Sequence, residues 1–116
     1  ALSIVADQIG GPTSARSIAQ AAITMLETLL GTPSAAGTYH FSSIPEVSWS
    51  DFAREIFRQA QLEVTVENIP SSAYPTPAAR PKNSRLDCTT TTDTFGIPRP
   101  DWREDLRAVL TDLKPA

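Results

Sequence analysis

Four prolines fall between residues 70 and 81, at Pro70, Pro75, Pro77 and Pro81. Each fixes its own φ and removes a backbone donor, so this stretch is neither helix nor central strand. It is a stiff, extended loop, and every regular element must lie before or after it.

Ahead of it, Leu2 to Ala6 is a β-prone, mostly apolar run that predicts a short buried strand. Asp7 to Thr13 reads as a turn, with Gly10, Gly11 and Pro12 setting its backbone. Thr13 or Ser14 can cap a helix predicted from about Ala15 to Leu30. Ile18, Ala22, Met25, Leu26, Leu29 and Leu30 recur at three- and four-residue spacing and give it one apolar face, expected to be buried. Gly31 and Pro33 signal its end. Gly37 to Phe41 predicts a second strand, and Ser42 to Val47 a loop. Ser48 with Asp51 resembles a capping box. The helix it opens places Phe52, Ala53, Ile56, Phe57 and Ala60 on one face and ends near Gln61. Val64, Val66 and Ile69 alternate with polar residues and predict a third strand.

Beyond the prolines, Asn83 to Asp87 predicts a short strand, and Thr89 to Phe95 a helical turn closed by Gly96. Asp101 and Glu104 open a last helix with Leu106, Val109, Leu110 and Leu113 as its buried stripe. The order predicts a mixed α/β, or α+β, unit in one domain. Three short strands are few for independent stability, so the unit reads as a piece of a larger protein, cut at Ala1.

The chain has 116 residues, 41% of them hydrophobic and 20% charged, so it can build a core and is outside the disordered class. A formal charge of −3 offers no field for nucleic acid. No apolar run is long enough to span a bilayer, and the first residues lack the basic start of a signal peptide. The single cysteine, Cys88, can form no internal disulfide, which suits a reducing compartment, so the cytoplasm is expected.

Little catalytic chemistry is on offer. His40 is the single histidine, and no metal-ligand spacing accompanies it. It reads as a partly buried strand residue. Cys88 lacks an activating base nearby and reads as structural. Gly10-Gly11-Pro12 is not a dinucleotide fingerprint, which needs three spaced glycines. It is a strand-to-helix turn or a ligand-facing one, since a helix N-terminus attracts anions. Trp49 and Trp102 open their helices either as packing residues or as stacking platforms. Tyr74 to Arg85 gathers Arg80, Lys82 and Arg85 among the prolines. Guanidinium groups pair bidentately with phosphate, and rigid flanks reduce the entropy lost on binding. Composition alone leaves open a solvated loop that caps the core.

Three segments in order resemble the dTDP-4-dehydrorhamnose reductases: Val5-Ala6-Asp7-Gln8-Ile9-Gly10-Gly11-Pro12-Thr13, Gly37 to Phe41, and Ser48-Trp49-Ser50-Asp51-Phe52-Ala53. Tyr74-Pro75-Thr76-Pro77-Ala78-Ala79-Arg80-Pro81-Lys82-Asn83-Ser84-Arg85-Leu86-Asp87 is the most specific match, and Pro100-Asp101-Trp102 resembles the family's C-terminus. The resemblance implies the C-terminal, substrate-binding portion of an extended short-chain dehydrogenase. Its N-terminal Rossmann domain would bind NADPH or NADH, carry a Tyr-x-x-x-Lys pair, and reduce dTDP-4-dehydro-L-rhamnose to dTDP-L-rhamnose. Neither Tyr39 nor Tyr74 is followed by lysine at the fourth position, so no catalytic, cofactor-binding or metal-binding residue is expected here, and the fragment alone is expected to be inactive. The partners implied are a dTDP-sugar and the chain's own Rossmann domain, with a homodimer left open. The residues carried over to the dTDP-sugar are Gln8, Gly11, Pro12, Thr13, Arg80, Asn83 and Arg85. Arg16 joins them because a cation in a first helical turn is disfavoured unless an anion offsets it. Two other readings share the fold: a non-catalytic subunit similar to the methionine adenosyltransferase β subunit, and another nucleotide-sugar epimerase or dehydratase.

Overall fold

The computed structural model describes residues 1–114. It has two small sheets rather than one. Strand β1, Leu2–Val5, lies parallel to β4, Val66–Ile69, with Leu2 opposite Val66 and Val5 opposite Ile69. Helix α2, Trp49–Ala60, packs against both strands and against the last helix, α4, Trp102–Asp112. A second, antiparallel pair joins β2, Ile9–Gly10, to β3, Val47–Ser48. Helix α1, Ala15–Gly31, and the short α3, Thr89–Phe95, make contact alongside.

Sequence patterns account for the helices. Ser14 caps α1 by accepting from the Ser17 N–H at 3.1 Å, and Ser48 caps α2 through the Asp51 N–H at the same distance. Asp101 caps α4. Gln61 closes α2 in the left-handed region, and Gly96 closes α3 in the same way. The small core centres on Trp102, whose Nε1 donates to the Pro45 carbonyl at 2.7 Å and whose ring meets Phe52 edge-on at 5.3 Å. Cys88 is buried beside Ser42, in keeping with a structural role.

Several expectations require correction. Strand β1 is not buried: Leu2 is 48% exposed, because among the described residues β4 is its single strand partner. Gly37 to Phe41 is not a strand but an irregular strap over α3, and His40 is exposed. Its carbonyl accepts from Thr91 Oγ1, and Tyr39 packs against Phe95 at 4.6 Å, so side chains take the place of a ladder. Asn83 to Asp87 forms only a single bridge, Ile9 to Asn83. The Asn83 and Asp87 side chains accept from the N–H groups of Arg85 and Thr89, and such local bonds compete with strand pairing. Ile9–Gly10 and Val47–Ser48, read as turn and loop, are strands too short for any periodicity to register. The apolar face of α1 is largely open: Ala21 is buried, whereas Leu26 is 56% and Leu30 76% exposed, because no element of the described chain lies over that stripe. Val109 and Leu113 of α4 are open likewise.

Candidate functional site

The site is assembled by one carboxylate. Asp7 lies in the bend just after β1 and accepts from the Ser71 N–H at 2.9 Å and from Ser71 Oγ at 2.5 Å. On its other side it faces Lys82 Nζ at 3.5 Å. The proline-rich loop is therefore tied at both ends to the turn that leads into α1. The Ser71 hydroxyl, then its N–H and the Lys82 charge, hold the Asp7 carboxyl below its ordinary range. Gln8 Nε2 adds a bond to Ser71 Oγ at 3.1 Å. Ile9 donates to the Lys82 carbonyl at 2.9 Å and accepts from the Ser84 N–H at 2.8 Å.

This knot leaves two adjoining hollows. The inner one, about 230 Å³, is lined by Gln8 to Pro12, Val47 to Trp49, Phe52 and Ser84. The outer one, about 560 Å³, is lined by Ser3 to Val5, Gln8, Trp49, Tyr74, Thr76 and Arg80. Gln8 and Trp49 stand in the walls of both. The glycine-bearing turn and the arginine loop thus line neighbouring hollows that meet at Gln8 and Trp49. Among the described residues Arg80 makes no ion pair, so its charge remains available to a ligand.

The residues singled out by sequence divide. Gln8, Gly11, Pro12 and Arg80 line the hollows. Thr13 lines neither: its Oγ1 donates to the Gly11 carbonyl at 2.9 Å and accepts from the Ser43 N–H at 3.0 Å, which fixes the turn. Arg16 also lines neither and faces Asp112 of α4 at 3.4 Å. That carboxylate supplies the anion its helix position calls for. Asn83 spends its carbonyl oxygen on the Arg85 N–H at 3.1 Å. Arg85 is exposed outside both hollows. Ser48 and Tyr74 are wall residues that the sequence reading did not select, and Trp49 is one that it left open between packing and stacking. Trp102 had the same helix-opening signal as Trp49 and is buried, so the distinction is tertiary.

A family model described as the RmlD substrate binding domain matches residues 1–114. The chain belongs to the RmlD substrate-binding domain family. It is 41% identical to the dTDP-4-dehydrorhamnose reductase of Sinorhizobium fredii, over 97% of this chain and 40% of that protein. It is 43% identical to the enzyme of the same name from Aggregatibacter actinomycetemcomitans, over 93% of this chain and 39% of the relative. The crystal structure of a dTDP-4-dehydrorhamnose reductase from Clostridium acetobutylicum superposes with a TM-score of 0.87 at 33% identity, covering 97% of this chain and 38% of that one. That from Bacillus anthracis, in complex with NADP, gives 0.79 at 34% identity with the same coverage. The RmlD-type chain thus spans about two fifths of the length of these relatives, and the mixed α/β fold is that of their substrate-binding part.

A dinucleotide does not fit the glycine turn of this RmlD-type domain. A Cβ at Gly11 would stand 2.5 Å from the Ser43 carbonyl oxygen, so the space left by the missing side chain is filled by the chain's own backbone. Gly10 faces Ser84. Gly11 is therefore not left to admit a pyrophosphate in the manner of a nucleotide-binding loop. Among the described residues no three His, Cys, Asp or Glu side chains gather as a metal site.

Proposed function

We propose that this chain is the nucleotide-sugar-binding portion of a dTDP-4-dehydrorhamnose reductase. In that protein, NADPH or NADH and the catalytic pair belong to a Rossmann domain outside these residues, and the fragment alone turns over nothing. The observation that carries the reading is the pair of neighbouring hollows, where the unpaired Arg80 lines one, Gly11 and Pro12 line the other, and Gln8 stands in the walls of both. A guanidinium there pairs with a diphosphate, and Gln8 offers a hydrogen bond to the sugar side. Arg85 and Asn83 act at the rim of those hollows. Thr13 and Arg16 serve the same site indirectly, by holding the turn and the start of α1.

The test uses the full-length protein. Arg80→Ala is expected to raise KM for dTDP-4-dehydro-L-rhamnose roughly tenfold or more, as loss of one charge-assisted contact does. KM for NADPH should stay within error. Equal loss toward both substrates would make the loop a structural brace. A wild-type protein that binds the dTDP-sugar without reducing it would favour the partner-binding subunit over the enzyme.

A further inference from the structure

Two large aromatic side chains on the outer hollow have no structural duty that accounts for their exposure. Trp49 is 57% exposed and Tyr74 60% exposed, and both line that hollow together with Arg80. Trp49 is not loose. It is the first residue of α2, its ring lies 6.4 Å from that of Phe52, and Phe52 in turn rests on the buried Trp102. The indole is braced from behind while much of its surface stays in solvent. Tyr74 follows the 3₁₀ turn Ser71–Ala73, to whose Ser71 carbonyl its N–H donates at 3.1 Å, and Asp7 anchors that turn. The prolines on its C-terminal side stiffen the loop further.

Pre-positioned, exposed aromatic faces beside a free guanidinium are the elements of a base-stacking platform next to a phosphate contact. We propose that Trp49 and Tyr74 hold the ligand's planar base in the outer hollow, with Arg80 directed to its phosphates. This rests on the nucleotide-sugar reading above and adds where the base lies. Every nucleobase has a π face, so such a platform demands a base without choosing which one.

Calorimetry on the full-length protein tests this, with dTDP, UDP and inorganic pyrophosphate as probes. Trp49→Ala and Tyr74→Ala are each expected to weaken dTDP and UDP by about tenfold and to leave pyrophosphate unchanged. Trp49→Phe should recover most of the loss. Should Trp49→Ala fail to fold, Tyr74→Ala and Trp49→Phe still report, since the loop residue supports no core. Equal weakening of pyrophosphate and dTDP, or no weakening of either, overturns the platform alone, provided the wild type binds dTDP. A wild type blind to dTDP overturns the nucleotide-sugar reading and the platform with it.

Discussion

Gly11 and Gly10 are adjacent and sit in opposite situations. A methyl group at Gly11 would lie 2.5 Å from the Ser43 carbonyl oxygen and 3.3 Å from the Ser42 side chain. Both serines are buried and held from the other side, so little can give way. A methyl group at Gly10 would meet Ser84 Cβ at 3.5 Å, an ordinary contact. Gly11→Ala is therefore expected to destabilise by roughly 1–3 kcal/mol in urea denaturation, and Gly10→Ala by little. Similar losses at the two positions would show that the turn as a whole, not one close approach, sets the requirement. Arg99 is what holds the serines. Its Nε donates to the Ser42 carbonyl and its Nη2 to Ser42 Oγ, each at 2.9 Å, while Nη1 faces Glu46 at 3.3 Å. Lysine cannot reproduce that fork, so Arg99→Lys should cost about 2 kcal/mol by the same measurement. Nothing in the sequence marks Arg99, because its partners are more than fifty positions away. Arg16 shows the same limit. Its place in a first helical turn correctly calls for an anion, and the geometry supplies one from α4.

Elements were legible in proportion to their length and to the locality of their signals. Helix α2 carries its cap and its apolar stripe within its own sequence, and it forms where those signals place it. Strands β2 and β3, of two residues each, depend on one another and on the proline loop, so no local pattern could announce them. The strap at Gly37 to Phe41 has strand-forming residues without a neighbouring strand. Helix α2 is also tied to α4 by a hydrogen bond from Gln59, which Glu55 helps to orient. Glu55 accepts from Arg58 at 2.6 and 2.7 Å and from Gln59 at 2.8 Å, and Gln59 in turn donates to the Arg103 carbonyl at 2.9 Å. The Arg58 bonds first, and then Gln59, pull the Glu55 carboxyl down to about 2. With the folded value below the unfolded one, the stabilising contribution is complete above about pH 4.5 and fades as the pH falls toward 2. Glu55→Gln removes that contribution at the outset. The stability gap between wild type and variant should be widest near neutrality and narrow through that acid window. A gap that is constant with pH would mean that the Glu55 charge contributes nothing to stability.

At the scale of the whole molecule, the surface is too large for the mass. A self-contained protein of 12.5 kDa would expose about 6,200 Å² and have a radius of gyration near ~13 Å. This chain exposes 7895 Å², with a radius of gyration of 16.9 Å and extents of 52 × 40 × 22 Å. It is a flattened layer, and its excess surface is about twice what one partner buries in a standard protein–protein interface. The ridge Ile18, Leu26 and Leu30 of α1 is apolar and open, although its spacing is that of a buried face. Periodicity reports that a face is apolar, and in the described chain this one stays exposed. If the rest of a reductase covers it, Leu26→Lys with Leu30→Lys should act with opposite sign in two settings. In the 116-residue chain alone, the double variant should bind less hydrophobic dye and aggregate less, because it removes exposed apolar surface. In the full-length protein it should lower the thermal midpoint, costing about 2 kcal/mol or more, because two charges would then be forced into an interface. A full-length variant as stable as its parent would leave the ridge in solvent there too and assign the excess surface to another face of the layer.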